Sequence, residues 1–238
     1  MSTFVLVHGA WHGAWCWESV VPLIEKAGHR VVAPDLPGLG DDRTPLSEIT
    51  LQSYGERVCE VVTAQDEPVI LVGHSMGGMA ISQAAEYCPD RIKALVYLCA
   101  FLPSNGESLV FWAQQMTESL VGGNMVMSED QSSATVRDEF IIDGFYGDCT
   151  PEMAARAKSR LRPQAVAPIV TPVNTSKQNF GRVKRHYIEC LQDRAIPIAW
   201  QRTMRVALPC ESVLTLNTSH SPFLSAPRAL AENLMSLT

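Results

Sequence analysis

The 238-residue chain holds few of the features that would assign it to a specialised class. No run approaches the ~18 apolar residues that a membrane-spanning helix requires. The opening MSTFVLVHG has no basic segment ahead of a long apolar one, so it reads as a first strand and not as a secretory leader. Internal repeats and low-complexity tracts are absent. Basic residues are few and dispersed: 19 Lys and Arg against 25 Asp and Glu leave a net charge of −6. The densest basic cluster, RVKRH from Arg182 to His186, reads as a solvated strand entrance, so no nucleic-acid surface is expected. The seven cysteines are odd in number, scattered, and never spaced C-x-x-C, which argues against a zinc or redox motif. Cys59, Cys99 and Cys190 fall in apolar runs and are expected to be buried thiols of a reduced, cytoplasmic protein. What remains, 46% hydrophobic and 18% charged residues, suits one globular core with an inserted subdomain.

Strand-like and helix-like segments alternate at the start of the chain. TFVLVH, HRVVAPDL, PVILVG and RIKALVYLCAF read as strands, and ESVVPLIEKAG, LQSYGERVCEVVTAQ and SMGGMAISQAAEYC as helices. Continuous apolar strands separated by helices indicate a mostly parallel sheet with helices on both faces. From Leu102 the rhythm breaks. WAQQMTESLVGG, SSATVRDEFIIDGFYG and TPEMAARAKSRL read as helices, and RPQAVAPIVTPV as an extended stretch. The α/β rhythm returns with KRHYIEC, IPIAWQRTMRVAL, ESVLTLN and SAPRALAENLMSL. The division is therefore a core of residues 1–103 and 182–238, with a helical cap inserted at 104–181.

Within PVILVGHSMGGMAISQAAEYC, the run GHSMG matches G-x-S-x-G. Chance supplies roughly 0.1 such matches in a chain this long, so the force comes from context. A buried strand enters the motif and a helix leaves it, as in a nucleophile elbow, where a tight turn lifts a serine hydroxyl above the sheet edge. Ser75 is the candidate nucleophile. The helix that follows aims free N–H groups and a positive dipole end at the site.

A serine at its ordinary pKa needs a base and an orienting acid, and in this architecture they follow it in the order acid, then histidine. Of six histidines, His220 alone lies just past the last strand, in LNTSHSPF, and is assigned as the base. Asp193, in LQDRAIP after the preceding strand, is favoured as the acid. Glu189 lies within that strand, Asp143 and Asp148 fall in the insertion, and Asp35 sits in an early turn. Two backbone donors must hold an oxyanion. The N–H groups of Met76, directly after the nucleophile, and of Ala10, in the HGAWHGAW loop, are the candidates, with Gly9 leaving the carbonyl room to approach. His8 and His12 are four apart but lack the helix and the glutamate of a zincin, so no metal is expected.

FVLVHGAWHGAWCW, VVAPDLPGLG, VILVGHSMGG, LQDRAIP and SHSPF together resemble the small α/β-hydrolases of the plant methylesterase and hydroxynitrile lyase branch, and bacterial carboxylesterases including pyrethroid-hydrolysing ones. The likeness covers nearly the whole chain and is weakest at 104–184. It implies an α/β-hydrolase core, a cap over the site, and Ser75, Asp193 and His220 as a triad. The lyases of this branch carry threonine where Gly9 stands and lysine where Ser221 follows the histidine. Neither is present here, so the resemblance implies a carboxylesterase acting on a small-molecule ester without a cofactor. A hydroxynitrile lyase and a non-catalytic ligand-binding protein on the same scaffold are the competing readings.

The pocket is expected to be apolar. Trp11, Phe101, Leu102, Phe111, Trp112, Phe145 and Tyr146 are the candidate lining residues, with Gly9 and Ser221 at its polar end. The sequence leaves open which ester is cleaved and whether the chain is a monomer or a dimer.

Overall fold

A computed structural model describes residues 1–238. In chain order the first half contains β1 (Thr3–Val7), α1 (Val21–Lys26), β2 (Arg30–Val32), α2 (Leu51–Thr63), β3 (Val69–His74), α3 (Gly77–Tyr87) and β4 (Ile92–Leu98). A middle segment holds α4 (Leu109–Ala113), β5 (Met125–Met127), β6 (Ser133–Val136), α5 (Asp138–Phe145), α6 (Pro151–Lys158), β7 (Gln164–Ala165) and α7 (Ala167–Val170). The last third adds β8 (Arg185–Cys190), α8 (Ile198–Ala207), β9 (Ser212–Leu216), α9 (Pro222–Ser225) and α10 (Pro227–Met235). No helix is long and apolar enough to cross a membrane.

Six strands form one sheet in the order β2-β1-β3-β4-β8-β9, with every pairing parallel. Every residue of β1 and β3 is buried, as is all of β4 but Lys93, because helices cover both faces of a parallel sheet. Phe4, Leu6, Ile70, Val72, Leu95 and Val96 are wholly buried. Each such side chain stabilises the fold by about 1.5–3 kcal/mol. The edge strands β2 and β9 are only partly covered, and β9 alternates inward and outward as a half-exposed strand should.

The strand order also positions the site. The chain steps outward from β1 to β2, then returns to place β3 on the other side of β1. Such a switch point opens a crevice at the carboxyl ends of the strands. Pairing of Val7 with Gly73 sets the loop after β1 beside the turn after β3. Pairing of Cys190 with Leu216, and the bond from Gln192 N–H to the Thr218 carbonyl at 2.9 Å, set the loop after β8 beside the loop after β9.

α2 starts on a reciprocal cap between Thr50 and Ser53 and buries Leu51, Tyr54, Val58, Val61 and Val62 along one stripe. The stripe packs on α3, and the structure pairs Cys59 of α2 with Cys88 at the end of α3, their Cα atoms 6.1 Å apart. The expectation of free thiols is corrected at these two positions. Single-residue spacing carries no information on which helices pack side by side, and that packing is what brings the two sulfurs together.

The middle segment is not purely helical. β5, β6 and β7 form a three-stranded antiparallel sheet. A helix was predicted across 132–147; residues Ser133–Val136 are a strand, and the helix begins at Asp138 with two acids in its first turn. Thr135 and Val136 are β-branched and pair with Val126 and Met125, which outweighs the helical pattern of the polar positions. The run after Trp112 ends its helix at Ala113 and continues in short local turns, until Leu120 N–H donates to the Arg194 carbonyl at 2.9 Å.

Candidate active site

Ser75 stands between β3 and α3 with φ +55°, a left-handed conformation that costs a non-glycine residue about 1–3 kcal/mol and persists only where neighbours hold it. Here they do. Ser75 N–H donates to the Leu98 carbonyl (3.3 Å), and the Ser75 carbonyl accepts from Gly78 N–H (3.0 Å) and Phe101 N–H (3.1 Å). The turn is so close to β1 that a β-carbon at Gly77 would lie 2.8 Å from the His8 carbonyl oxygen.

His220 follows β9 and is buried, as is Asp193 after β8. His220 Nδ1–H donates to Asp193 Oδ2 at 2.8 Å. The other carboxylate oxygen accepts from the backbone N–H groups of Ala195 (2.8 Å) and Ile196 (2.9 Å), and Gln201 Nε2 donates to Oδ2 at 3.2 Å. With four donors around it, Asp193 is fixed in place and its charge is compensated. No hydrogen bond joins Ser75 Oγ to the His220 ring; such contacts often form fully only with substrate bound.

The loop after β1 contributes donors. His8 accepts Leu36 N–H at Nε2 (3.0 Å) and so donates Nδ1–H to the Gly9 carbonyl (2.8 Å). That carbonyl belongs to the same peptide plane as the Ala10 N–H. Neither the Ala10 nor the Met76 N–H is engaged by another group of the chain, and both residues line the cavity that Ser75 opens into. A β-carbon at Gly9 would stand 2.8 Å from Ser75 Cβ, so a larger residue would press on Ser75.

The cavity is walled by Trp11, Phe101, Leu109, Met116, Phe145 and Ile196 among others, and no charged side chain lines it. Ser119 is its one polar residue besides Ser75, and it turns its hydroxyl to the Ala195 carbonyl (2.7 Å). Trp11 holds φ +62° and donates its indole N–H to the Ala134 carbonyl of β6 (2.8 Å), which locks it as a wall.

Residues 4–233 match the alpha/beta hydrolase family. The chain belongs to that family. Methylesterase 7 of Arabidopsis thaliana is 35% identical over 250 residues, spanning 98% of this chain and 95% of that protein. A pyrethroid hydrolase of Sphingobium wenxiniae is 33% identical over 241 residues, spanning 98% and 86%. The crystal structure of polyneuridine aldehyde esterase superposes with a TM-score of 0.89 at 29% identity, covering 100% of this chain and 99% of that one. The hydrolase thus stands among relatives named as esterases.

Of the pocket residues expected in this hydrolase, Trp11, Phe101 and Phe145 reach the cavity wall. Leu102, Trp112, Tyr146 and Ser221 are buried but lie outside the lining, Gly9 backs Ser75, and Phe111 is exposed. The reasons are local. Leu102 N–H is turned to the Met204 sulfur, Trp112 donates its indole N–H to Glu107 (3.0 Å), and Tyr146 donates to His12 (2.8 Å). Leu109, Ala113, Met116, Val121, Met125 and Ile169 line the cavity without having been picked out; apolar residues in the inserted segment carry no mark that separates wall from core.

Four of the six histidines gather here. The His74 ring lies 4.6 Å from the His220 ring, and its Nε2–H donates to the His220 carbonyl (2.8 Å). Burial drives His8 and His74 below the usual histidine range, and takes His12 to about 3, so all three are neutral. His74, Cys99 and His220 offer ligand atoms within 4.8 Å of one another. His74 Nε2 and His220 Nδ1 are committed, to the His220 carbonyl and to Asp193, while His74 Nδ1 is buried without a partner.

Proposed function

We propose that the chain is a serine carboxylesterase with Ser75 as nucleophile, His220 as base and Asp193 as its orienting acid. The observation that carries the reading is an apolar cavity lined by a strained serine and two residues with unengaged backbone N–H groups, with a buried histidine–carboxylate pair packed behind its wall, His220 against Phe145 and Asp193 on the Ala195 and Ile196 N–H groups. His220 takes the Ser75 proton as the hydroxyl attacks the ester carbonyl. The Ala10 and Met76 N–H groups hold the oxyanion, each worth about 3 kcal/mol in comparable hydrolases. The imidazolium, stabilised by Asp193, protonates the departing alcohol, and water activated by the same ring then releases the acid.

The substrate is a neutral ester with an apolar body. A carboxylate or ammonium in this cavity would lose its hydration and meet no partner, since no charged side chain lines the wall. Residues 104–181 act as the cap, supplying Leu109, Met116, Met125 and Phe145 to the wall. Lyase chemistry is disfavoured by Gly9 and Ser221: the Ser221 hydroxyl is buried without a partner and brings no positive charge.

The test is hydrolysis of 4-nitrophenyl acetate, butyrate and octanoate by the wild type and by Ser75→Ala. Turnover in the wild type should fall in the variant by several orders of magnitude, about 10⁶ in kcat for a comparable triad serine. Turnover that survives the substitution, or a folded wild type inert to all three esters, would contradict the proposal.

A further inference from the structure

The turn that ends α5 touches both loops on which the proposed chemistry depends. On one side, buried Tyr146 donates its O–H to His12 Nε2 (2.8 Å), and His12 Nδ1–H donates to the Ala10 carbonyl (2.8 Å). Ala10 is the residue whose N–H is assigned to the oxyanion, so holding its carbonyl fixes its backbone on both sides. On the other side, Asp148 accepts the Ser219 N–H (2.9 Å) and the Ser219 hydroxyl. Ser219 directly precedes His220. Between them Gly147 packs flat, a β-carbon there lying 3.9 Å from Ser219 Cβ.

These contacts join distant parts of the chain: Tyr146 and His12 are 134 residues apart, and Asp148 and Ser219 are 71 apart. Residues 104–181 also meet the oxyanion loop through the Trp11 indole to Ala134 and Arg162 N–H to the Trp11 carbonyl (2.9 Å). Burial keeps the His12 ring neutral and pushes the Tyr146 phenol far above its ordinary range. The direction of the Tyr146–His12–Ala10 chain is therefore constant across working pH. The His12 ring is boxed by Trp15, Phe145 and Phe223, which leaves it no other orientation with partners for both nitrogens.

We propose that Tyr146 and Asp148 are positioning residues that clamp the oxyanion loop and the histidine loop at a fixed separation, an inference that rests on the serine esterase reading above. Neither residue touches the reacting atoms. Tyr146 acts through His12 on the Ala10 N–H, and Asp148 acts through Ser219 on the His220 ring. One rigid turn thereby sets the distance between the group that stabilises the oxyanion and the group that moves the proton. A small displacement there is costly, since misplacement by about 1 Å can lower a rate on the order of 10²-fold.

The experiment compares wild type, Tyr146→Phe, Asp148→Asn, the double variant, and Asp143→Asn as a control on the same helix. Asp143 is exposed and pairs with Arg194. Kinetics on 4-nitrophenyl butyrate are joined by inhibition with an alkyl trifluoromethyl ketone, whose serine adduct carries an oxyanion, and with the matching alkyl methyl ketone, which is neutral and forms no stable adduct. The clamp predicts that each single variant loses roughly 10- to 100-fold in kcat with KM within about twofold. Tyr146→Phe should weaken the trifluoromethyl ketone by a similar factor while leaving the methyl ketone unmoved. The double variant should fall by less than the product of the singles, because both release the same geometry. Nitrogen-15 NMR of the His12 ring should show the Nδ1–H tautomer in wild type and its loss of definition in Tyr146→Phe. Unchanged kcat in both singles, or losses shared equally by the trifluoromethyl and methyl ketones, would overturn the clamp. If wild type turns over none of the esters, the esterase reading falls separately, and an unchanged His12 signal in Tyr146→Phe then overturns the bridge as well.

Discussion

Gln201 lies on α8 with none of its surface exposed, and every polar atom of its amide is used. Nε2 donates to the carbonyls of Ile196 (2.7 Å) and Cys190 (3.3 Å) and to Asp193 (3.2 Å), while Oε1 accepts from Cys190 N–H (3.1 Å). It ties the end of β8 to the loop that carries the candidate acid. Gln201→Met keeps the volume but strands these groups, and leaving buried partners unsatisfied costs about 1–3 kcal/mol. A urea titration should find that loss; a change below about 0.5 kcal/mol would mean that Asp193 is held without it. The placement of Ser75, Asp193 and His220 just past the ends of strands was legible in the chain, because the strands announce themselves as apolar runs. Gln201, His12 and Tyr146 were not: Tyr146 meets His12 across 134 residues, and nothing in the sequence marks that α8 turns Gln201 onto Asp193. The φ values of Trp11 and Ser75 are likewise tertiary facts, although the glycines around Ser75 hinted at the second.

At the scale of elements, the parallel sheet and its helices followed the sequence pattern closely, because buried strands and amphipathic helices have distinct periods. The inserted segment did not. Its strands are two to four residues long, too short for a period to show, and half-exposed Met125 sits next to exposed Val126 and Met127 on β5. α2 and α3 offer a direct check on element packing. Thiol titration of denatured, non-reduced protein should find five free cysteines, Cys16, Cys99, Cys149, Cys190 and Cys210. Seven would mean that Cys59 and Cys88 stay apart and that α3, which begins two residues after Ser75, is held on α2 by side-chain packing alone.

The molecule as a whole keeps three histidines neutral behind its candidate site, and this has a consequence for acid stability. Burial lowers the folded-state pKa of His8, His12 and His74 below 6.5, His12 to about 3. Below 6.5 the unfolded chain therefore binds protons that the folded chain refuses, so stability is full above 6.5 and falls as pH drops toward 3. Glu189 adds in the same direction, because Arg202 and Arg205 hold its carboxyl below the usual range. Each group contributes a slope of up to about 1.4 kcal/mol per pH unit. Urea unfolding between pH 7 and 4.5 should show this decline, and a flat profile would place the rings in contact with solvent. The central claim, that Ser75 is a nucleophile, is tested most directly by exposing the folded protein to a fluorophosphonate and mapping the adduct by mass spectrometry. The account predicts one adduct per chain, on the peptide bearing Ser75, and none after prior denaturation. A folded protein that takes no label, or takes it on another residue, would contradict it.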